Sequence, residues 1–332
     1  MEIVTVGPGI GNRYARFFYA SDRKIRNGFT RLGHNVTHLS DRDIAASALG
    51  WRYLGKQMAN RKLLDVVEAI QPDLIVLFQA HLILPETLST LKEKVPHCKI
   101  ANVDNDPMTI EVRVQRLLSL KGLVDATFLT SAGEHLERLR NEGLHTSYIP
   151  NCTDPSMEKG TPLEDGELQY DTVYFAGDPF LSNRWKLPRE LAEVAPDIRC
   201  GFFGYGKKRI YGRAYFDMLR SSKTALNWSG TNDIYLYSSD RIAQLFGTGR
   251  CVCLYTGSGF QYFFNENEAI FFEDVKDLAG KLRSVLRENK WRDIAQKGQK
   301  RYRALFNEQR TAQYIADFTF GESIVDYEWS AV

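Results

Sequence analysis

The sequence has no stretch approaching the roughly 20 consecutive apolar residues that a membrane-spanning helix requires. Its opening, residues 1–14 (MEIVTVGPGIGNRY), lacks the basic start and long apolar core of a secretory signal, so a cytoplasmic protein is expected. Cysteine is sparse: Cys98, Cys152, Cys200, Cys251 and Cys253 form an odd, scattered set without a CxxC pair. Free thiols in a reducing compartment follow from that pattern. Neither sign of charge dominates, with 43 basic against 41 acidic residues and a net charge of +2. Nothing global therefore drives the chain toward nucleic acid or a membrane. His34, His38, His97, His135 and His145 have no ligand-like spacing, and no metal is expected. Internal repeats and low-complexity tracts are also missing.

What remains is an ordinary globular composition, 43% hydrophobic and 25% charged over 332 residues. That length suits two domains, each large enough for its own core. Apolar strand patterns over Ile3–Val6, Val36–Leu39, Leu74–Phe78, Lys99–Val103, Ala126–Leu129 and Thr146–Ile149 alternate with helical ones over Asp22–Leu32, Lys56–Ile70, Pro85–Lys94, Ile110–Leu118 and Gly133–Asn141. The segment Pro150-Asn151-Cys152-Thr153-Asp154-Pro155 interrupts them, and a polar linker extends to about Gln169. Strands then resume over Thr172–Ala176, Arg199–Phe203, Thr224–Trp228, Cys251–Tyr255 and Ala269–Phe272. Helical patterns cover Leu187–Val194, Ala214–Ser221, Arg241–Phe246, Val275–Arg287, Trp291–Leu305 and Gln309–Phe318. Strands apolar throughout that alternate with helices predict parallel sheets covered on both faces. The expected division is 1–150 and 151–332, with the last helix free to cross back to the first domain. Two such open sheets bind ligands beyond the carboxyl ends of their strands.

The second half carries a family resemblance. Ser239-Asp240-Arg241-Ile242-Ala243-Gln244-Leu245-Phe246-Gly247-Thr248-Gly249 resembles the S-x-R-x-x-E-x-x-x-x-G run of GT-B glycosyltransferases, especially the spore-maturation (CgeB-like) group. An apolar strand, the turn Gly257-Ser258-Gly259 with an aromatic helix start, Glu266 to Phe272 and the D-x-x-x-L-x-x-K-L-like run from Asp274 follow in the family's order. Ile149-Pro150-Asn151 resembles the I-P-N-G that opens the family's second domain. The likeness covers most of 149–316; the first half matches in architecture alone.

The resemblance implies an α/β protein of the GT-B type: two Rossmann-like domains facing each other across a cleft. The first would bind the acceptor and the second a nucleotide-sugar. The implied reaction moves a sugar from that donor to a hydroxyl of a glycan or lipid-linked acceptor, in polysaccharide biosynthesis. Two departures stand out. Gln244 occupies the place of the glutamate expected to hold the donor ribose, and a neutral amide makes the weaker hydrogen bond. Leu236 occupies the place of a second acidic residue found in related retaining enzymes, so no stereochemical outcome is implied.

For the donor diphosphate, cationic side chains and backbone N–H groups are the expected stabilisers. Thr256, Gly257, Ser258 and Gly259 read either as a phosphate cradle or as a plain turn. Arg184 and Lys186 fall in the loop 177–186 that begins at Gly177, where related enzymes place diphosphate-binding residues. Ser239 and Arg241 open the donor-binding helix; Arg241 either reaches the donor or pairs with Asp240 or Asp233. Gly204 and Tyr205 resemble the family's Y-G turn near the base.

In the first half, Gly7-Pro8-Gly9-Ile10-Gly11-Asn12 has Asn12 where a dinucleotide fingerprint needs glycine, a weak signal for NAD. Asp104 and Asp106, after the Lys99–Val103 strand, are the first candidates for the base that takes the acceptor proton. Asp106 before Pro107 also reads as a helix N-cap. His81 is the third candidate. No cofactor is expected beyond the nucleotide-sugar, which is substrate. The expected partners are that donor and a glycan or glycolipid acceptor, which is compatible with peripheral membrane association, and no nucleic acid. Two other readings stay open: a sugar-nucleotide epimerase or hydrolase on the same fold, and a catalytically lapsed nucleotide-sugar-binding protein.

Overall fold

The structure, a computed structural model, describes residues 1–9, 16–48, 52–162, 168–176, 182–204, 209–237 and 239–332. The chain divides into two compact units: Met1–Pro150 together with Glu308–Val332, and Asn151–Asn307.

The first unit contains β1 (Glu2–Gly7), α1 (Ser21–Arg31), β2 (Asn35–Ser40), α2 (Asp41–Ser47), α3 (Arg52–Ile70), β3 (Leu74–Phe78) and α4 (Pro85–Lys94). Then come β4 (Lys99–Asp104), α5 (Glu111–Leu118), β5 (Ala126–Leu129), α6 (Glu134–Asn141) and β6 (Thr146–Tyr148). The six strands form one sheet in the order β2-β1-β3-β4-β5-β6, every pair parallel. Strand β3, Leu-Ile-Val-Leu-Phe, is buried at every position, as helices on both faces require. The strand order reverses between β1 and β3, which marks their carboxyl ends as the place for a ligand. Helix α2 lies outside the expected elements. It is too polar to show an apolar stripe, and Ser40 starts it by accepting from the Asp43 amide at 3.1 Å.

The second unit contains β7 (Tyr170–Phe175), α7 (Ser182–Val194), β8 (Cys200–Phe203), α8 (Arg213–Arg220), β9 (Ser222–Asn227) and α9 (Arg241–Gly247). It ends with β10 (Cys251–Tyr255), β11 (Ile270–Phe272), α10 (Val275–Arg287) and α11 (Trp291–Leu305). Its parallel sheet runs β11-β10-β9-β7-β8, and the order reverses between β7 and β9. Tyr174, Trp185, Leu191, Leu226, Phe272 and Trp291 sit in its core.

The last helix, α12 (Glu308–Phe320), counts with the first unit. Tyr314 shares a 2.5 Å hydrogen bond with Ser147, and Phe318 meets Phe128 edge-on at 5.4 Å. Arg31 pairs with Glu308. The sequence placed the boundary at 150 with the last helix free to cross back; residues 308–332 count with the first unit and set Tyr314 and Phe318 against its sheet.

Three local expectations change. Helix α7 begins at Ser182, five residues before the expected Leu187, because Trp185 is 2% exposed and packs edge-on against Tyr174 at 5.2 Å. Its first turns therefore carry Arg184 and Lys186, which are not loop residues. The segment after β10 forms two 3₁₀ turns, Thr256–Ser258 and Phe260–Tyr262, in place of a helix start. Asp106 is not an N-cap. The Asp104 carboxylate accepts the Asp106 amide at 2.9 Å, a local turn that competes with helix, and α5 starts at Glu111 with Ile110 before it.

Candidate active site

In the second unit the polar groups gather at the carboxyl ends of β7 and β9. Arg241, at the start of α9 and 9% exposed, donates to the Phe175 carbonyl at 2.8 Å, to the Trp228 carbonyl, and to Ser229 Oγ at 3.4 Å. Its guanidinium carbon lies 5.2 Å from the centroid of the Tyr174 ring. Its partners are these backbone carbonyls, where the sequence offered Asp240 or Asp233. Burial raises the Tyr174 phenol above its ordinary value, with the Arg241 and Arg184 charges opposing.

Arg184 approaches the same corner from α7. Its Nε is 3.2 Å from the position a Cβ would take on Gly230, and that nitrogen is buried without a hydrogen-bond partner. Among the described residues its guanidinium makes no ion pair and no hydrogen bond. Lys186, two residues further along α7, is exposed. Gln244, three residues after Arg241 on a helix buried throughout, is 5% exposed, and its carboxamide bonds to no described residue. Ser239 is half-buried just before that helix. Leu236 is fully buried, at φ +55°, with its amide donating to the Ser258 carbonyl at 2.8 Å.

The turn after β10 is tightly held. Ser258 is 6% exposed and its hydroxyl donates to the Tyr255 carbonyl at 2.6 Å, which occupies the donor expected for a phosphate. Thr256 is half-buried and Gly257 exposed. Gly259, at φ +77°, lies where a Cβ would meet the Tyr235 ring at 2.4 Å. Gly204 follows β8 at φ +111°, and a Cβ there would be 2.3 Å from the Ala176 carbonyl oxygen. Only glycine meets both demands. Gly177 and Tyr205 lie outside the described residues, as do residues 10–12 of the first glycine loop.

In the first unit the three base candidates come together at the carboxyl ends of β3 and β4. Gln79, at φ +45°, turns the chain after β3, and Arg42 donates to its carbonyl at 3.2 Å. His81 follows. Desolvation, then the Arg116 and Arg42 charges, lower its imidazole to about 4. Asp104 is 4% exposed, and burial raises its carboxyl above the usual range. Its second oxygen lies 4.0 Å from Arg116, while Asp106 stands 3.7 Å from Arg113. His81 is thus neutral at pH 7, and Asp104 is a stronger base than an ordinary carboxylate.

His81 also lines a pocket of about 190 Å³ with Lys56, Leu77, Leu88, Asn102 and Arg116. Lys56, Asn102 and Arg116 were not singled out from sequence. Lys56 and Arg116 sit on helices whose charged faces look like any solvated surface, and Asn102 is one polar residue in an apolar strand.

Residues 184–317, less than half of the chain, match the family model described as Glycosyl transferase-like. No curated protein matches the sequence. Sucrose-phosphate synthase from Thermosynechococcus elongatus aligns with 97% of this chain and 99% of its own at 13% identity and a TM-score of 0.64. HepE from Anabaena, solved with UDP and glucose, aligns with 97% and 100% at 12% identity and 0.63. An alpha-glucosyltransferase, solved with UDP and a 13-mer DNA, aligns with 96% and 99% at 11% identity and 0.68. At these identities the likeness shows the fold, which is GT-B: two parallel-sheet Rossmann-like units.

Proposed function

We propose that the chain is a glycosyltransferase that moves a sugar, a hexose or a relative, from a nucleotide-sugar to a hydroxyl of a glycan or lipid-linked acceptor. The observation that carries this reading is Arg184, a cation without an ion pair or hydrogen bond among the described residues, near where the strand order reverses between β7 and β9. In this reading the second unit holds the donor. Arg184 and the exposed Lys186 offset the diphosphate charge, with no metal ion required, and Gln244 offers its carboxamide to the ribose. UDP in the HepE and alpha-glucosyltransferase structures makes a uridine donor the first to test. The Ser239–Gly249 run and the family match over 184–317 support the same assignment, and the CgeB-like subgroup rests on that run alone.

The first unit holds the acceptor. Its hydroxyl proton passes to a base among Asp104, Asp106 and His81. The acceptor oxygen bonds to the anomeric carbon as the bond to the diphosphate breaks, and the nucleoside diphosphate leaves with the electron pair. A cytoplasmic setting in cell-surface polysaccharide assembly suits such an enzyme. Among the described residues no helix is long and apolar enough to cross a membrane.

Release of UDP from UDP-glucose, measured with and without candidate acceptors, tests the proposal. Transfer gives acceptor-dependent release; acceptor-independent release would mark a hydrolase. Leu236, fully buried where retaining relatives carry an acid, favours one rival, a lapsed binder with saturable nucleotide-sugar binding and no turnover. A thermal shift with NAD and with none of UDP, GDP, TDP or CMP would overturn the reading altogether.

A further inference from the structure

The pocket of the first unit carries charge of one sign. Lys56 on α3 and Arg116 on α5 line it, and none of the described residues lining it is a carboxylate. Lys56 is half-buried, and its ammonium makes no ion pair or hydrogen bond with a described residue. Arg116 stands 4.0 Å from Asp104, the limit of an ion pair, and donates no hydrogen bond to a described residue. Burial is the first cause holding the Arg116 guanidinium below its ordinary value, with Asp104, Asp106 and Asp41 opposing. Asn102 is 2% exposed, and its amide nitrogen is buried without a partner. His81 at about 4 adds a neutral ring. Among the described residues this leaves the Lys56 ammonium and the Asn102 amide nitrogen without acceptors and Arg116 with only the distant Asp104 carboxylate, a costly state in a partly enclosed space unless an anion completes it.

We propose that this pocket binds an oxyanion group, a phosphate monoester or a carboxylate, carried by the acceptor. The acceptor is then a phosphorylated or acidic sugar, not a neutral one. The volume of about 190 Å³ corresponds to about six waters at ~30 Å³ each, room for the anionic group and part of a sugar ring. Arg116 supplies a planar fork for two of its oxygens and Lys56 a compact point charge. The assignment of this anion to the acceptor rests on the transfer reading above; the anion site itself needs no turnover.

Isothermal titration of the full chain, without donor, against glucose 6-phosphate, glucuronate and glucose tests it. At least one anionic sugar binds roughly tenfold or more tighter than glucose, and binding weakens with added salt. Lys56→Gln and Arg116→Gln each weaken it by about tenfold or more. The Lys56 ammonium has no partner to lose among the described residues, so Lys56→Gln folds as the parent does and remains decisive if Arg116→Gln does not. Which of the two anionic sugars binds identifies phosphate or carboxylate. Equal binding of all three sugars, or parental affinity in Lys56→Gln, overturns the inference, and donor turnover onto neutral acceptors can still stand in that case. Anion binding that depends on Lys56, in a protein that turns over no nucleotide-sugar, upholds the pocket and removes the transfer reading.

Discussion

Tyr174 and Arg241 converge on one acceptor: both donate to the Trp228 carbonyl, the phenol at 3.0 Å, and the guanidinium lies over the phenol ring at 5.2 Å. This joins β7, the end of β9 and the start of α9 at the point where the sheet reverses. Arg241 is therefore part of the frame, whereas Arg184 has no ion pair or hydrogen bond among the described residues.

The two arginines should separate by experiment. Arg241→Ala removes the guanidinium donor from the Phe175 carbonyl, leaves the Trp228 carbonyl to Tyr174 alone, and should cost about 1–3 kcal/mol of stability, read as a lower thermal midpoint. Arg184→Ala should leave stability within about 0.5 kcal/mol and weaken UDP-glucose binding roughly 10- to 100-fold in calorimetry. Parental affinity in Arg184→Ala would move the diphosphate elsewhere.

Gln244→Glu places a carboxylate at a position 5% exposed. Without ligand, the variant should melt below the parent, because a buried charge lacks a partner. With UDP-glucose it should recover at least the parent's midpoint if the side chain meets the ribose hydroxyls. A deficit that donor does not reduce would show that α9 faces something other than ribose.

Since Asp106 caps no helix, Asp106→Asn gives up only its surface pair with Arg113 at 3.7 Å, about 0–1 kcal/mol. If Asp106 is the base, turnover should fall roughly 10²–10⁴-fold while donor affinity holds. Asp104→Asn and His81→Ala are the parallel tests, and one of the three should damage rate far more than stability. Near-parental turnover in all three would remove the base from this corner.

His38 sets an acid limit on stability. Burial, then the Arg26 charge, lower its imidazole from 6.5 to about 4, with a Thr5 contact and Asp43 opposing. Unfolding therefore takes up a proton between these values. Stability is complete above about pH 6.5 and declines toward pH 4, by no more than about 1.4 kcal/mol per pH unit for one such group. His81, also lowered to about 4, adds to the same decline. Thermal midpoints between pH 7 and 4.5 should fall less steeply in His38→Gln than in the parent; parallel slopes would exclude His38 as a contributor.

The sequence by itself determined the kind of fold. Runs such as Leu74–Phe78 and Cys251–Tyr255 are apolar at nearly every position, which suits a central parallel strand and little else. Helix α10 has the bounds its amphipathic spacing predicts, Val275–Arg287, since periodicity is a property of near neighbours. The Ser239–Gly249 run likewise marked the segment that folds as α9. Partners distant in the chain were decided only by tertiary structure. Arg241 and the Phe175 carbonyl are 66 residues apart, and no local pattern tells an arginine tied to carbonyls from one without a partner among the described residues, like Arg184. Helix α12 carries no mark in sequence of the sheet it covers; Ser147, 167 residues before Tyr314, supplies it. Asp106 read as a cap because Pro107 follows it, until the Asp104 carboxylate took its amide and turned the chain. The oxyanion pocket was invisible for the same reason. Lys56, Asn102 and Arg116 lie on three separate elements, and only folding brings their unmet hydrogen-bonding capacity into one space.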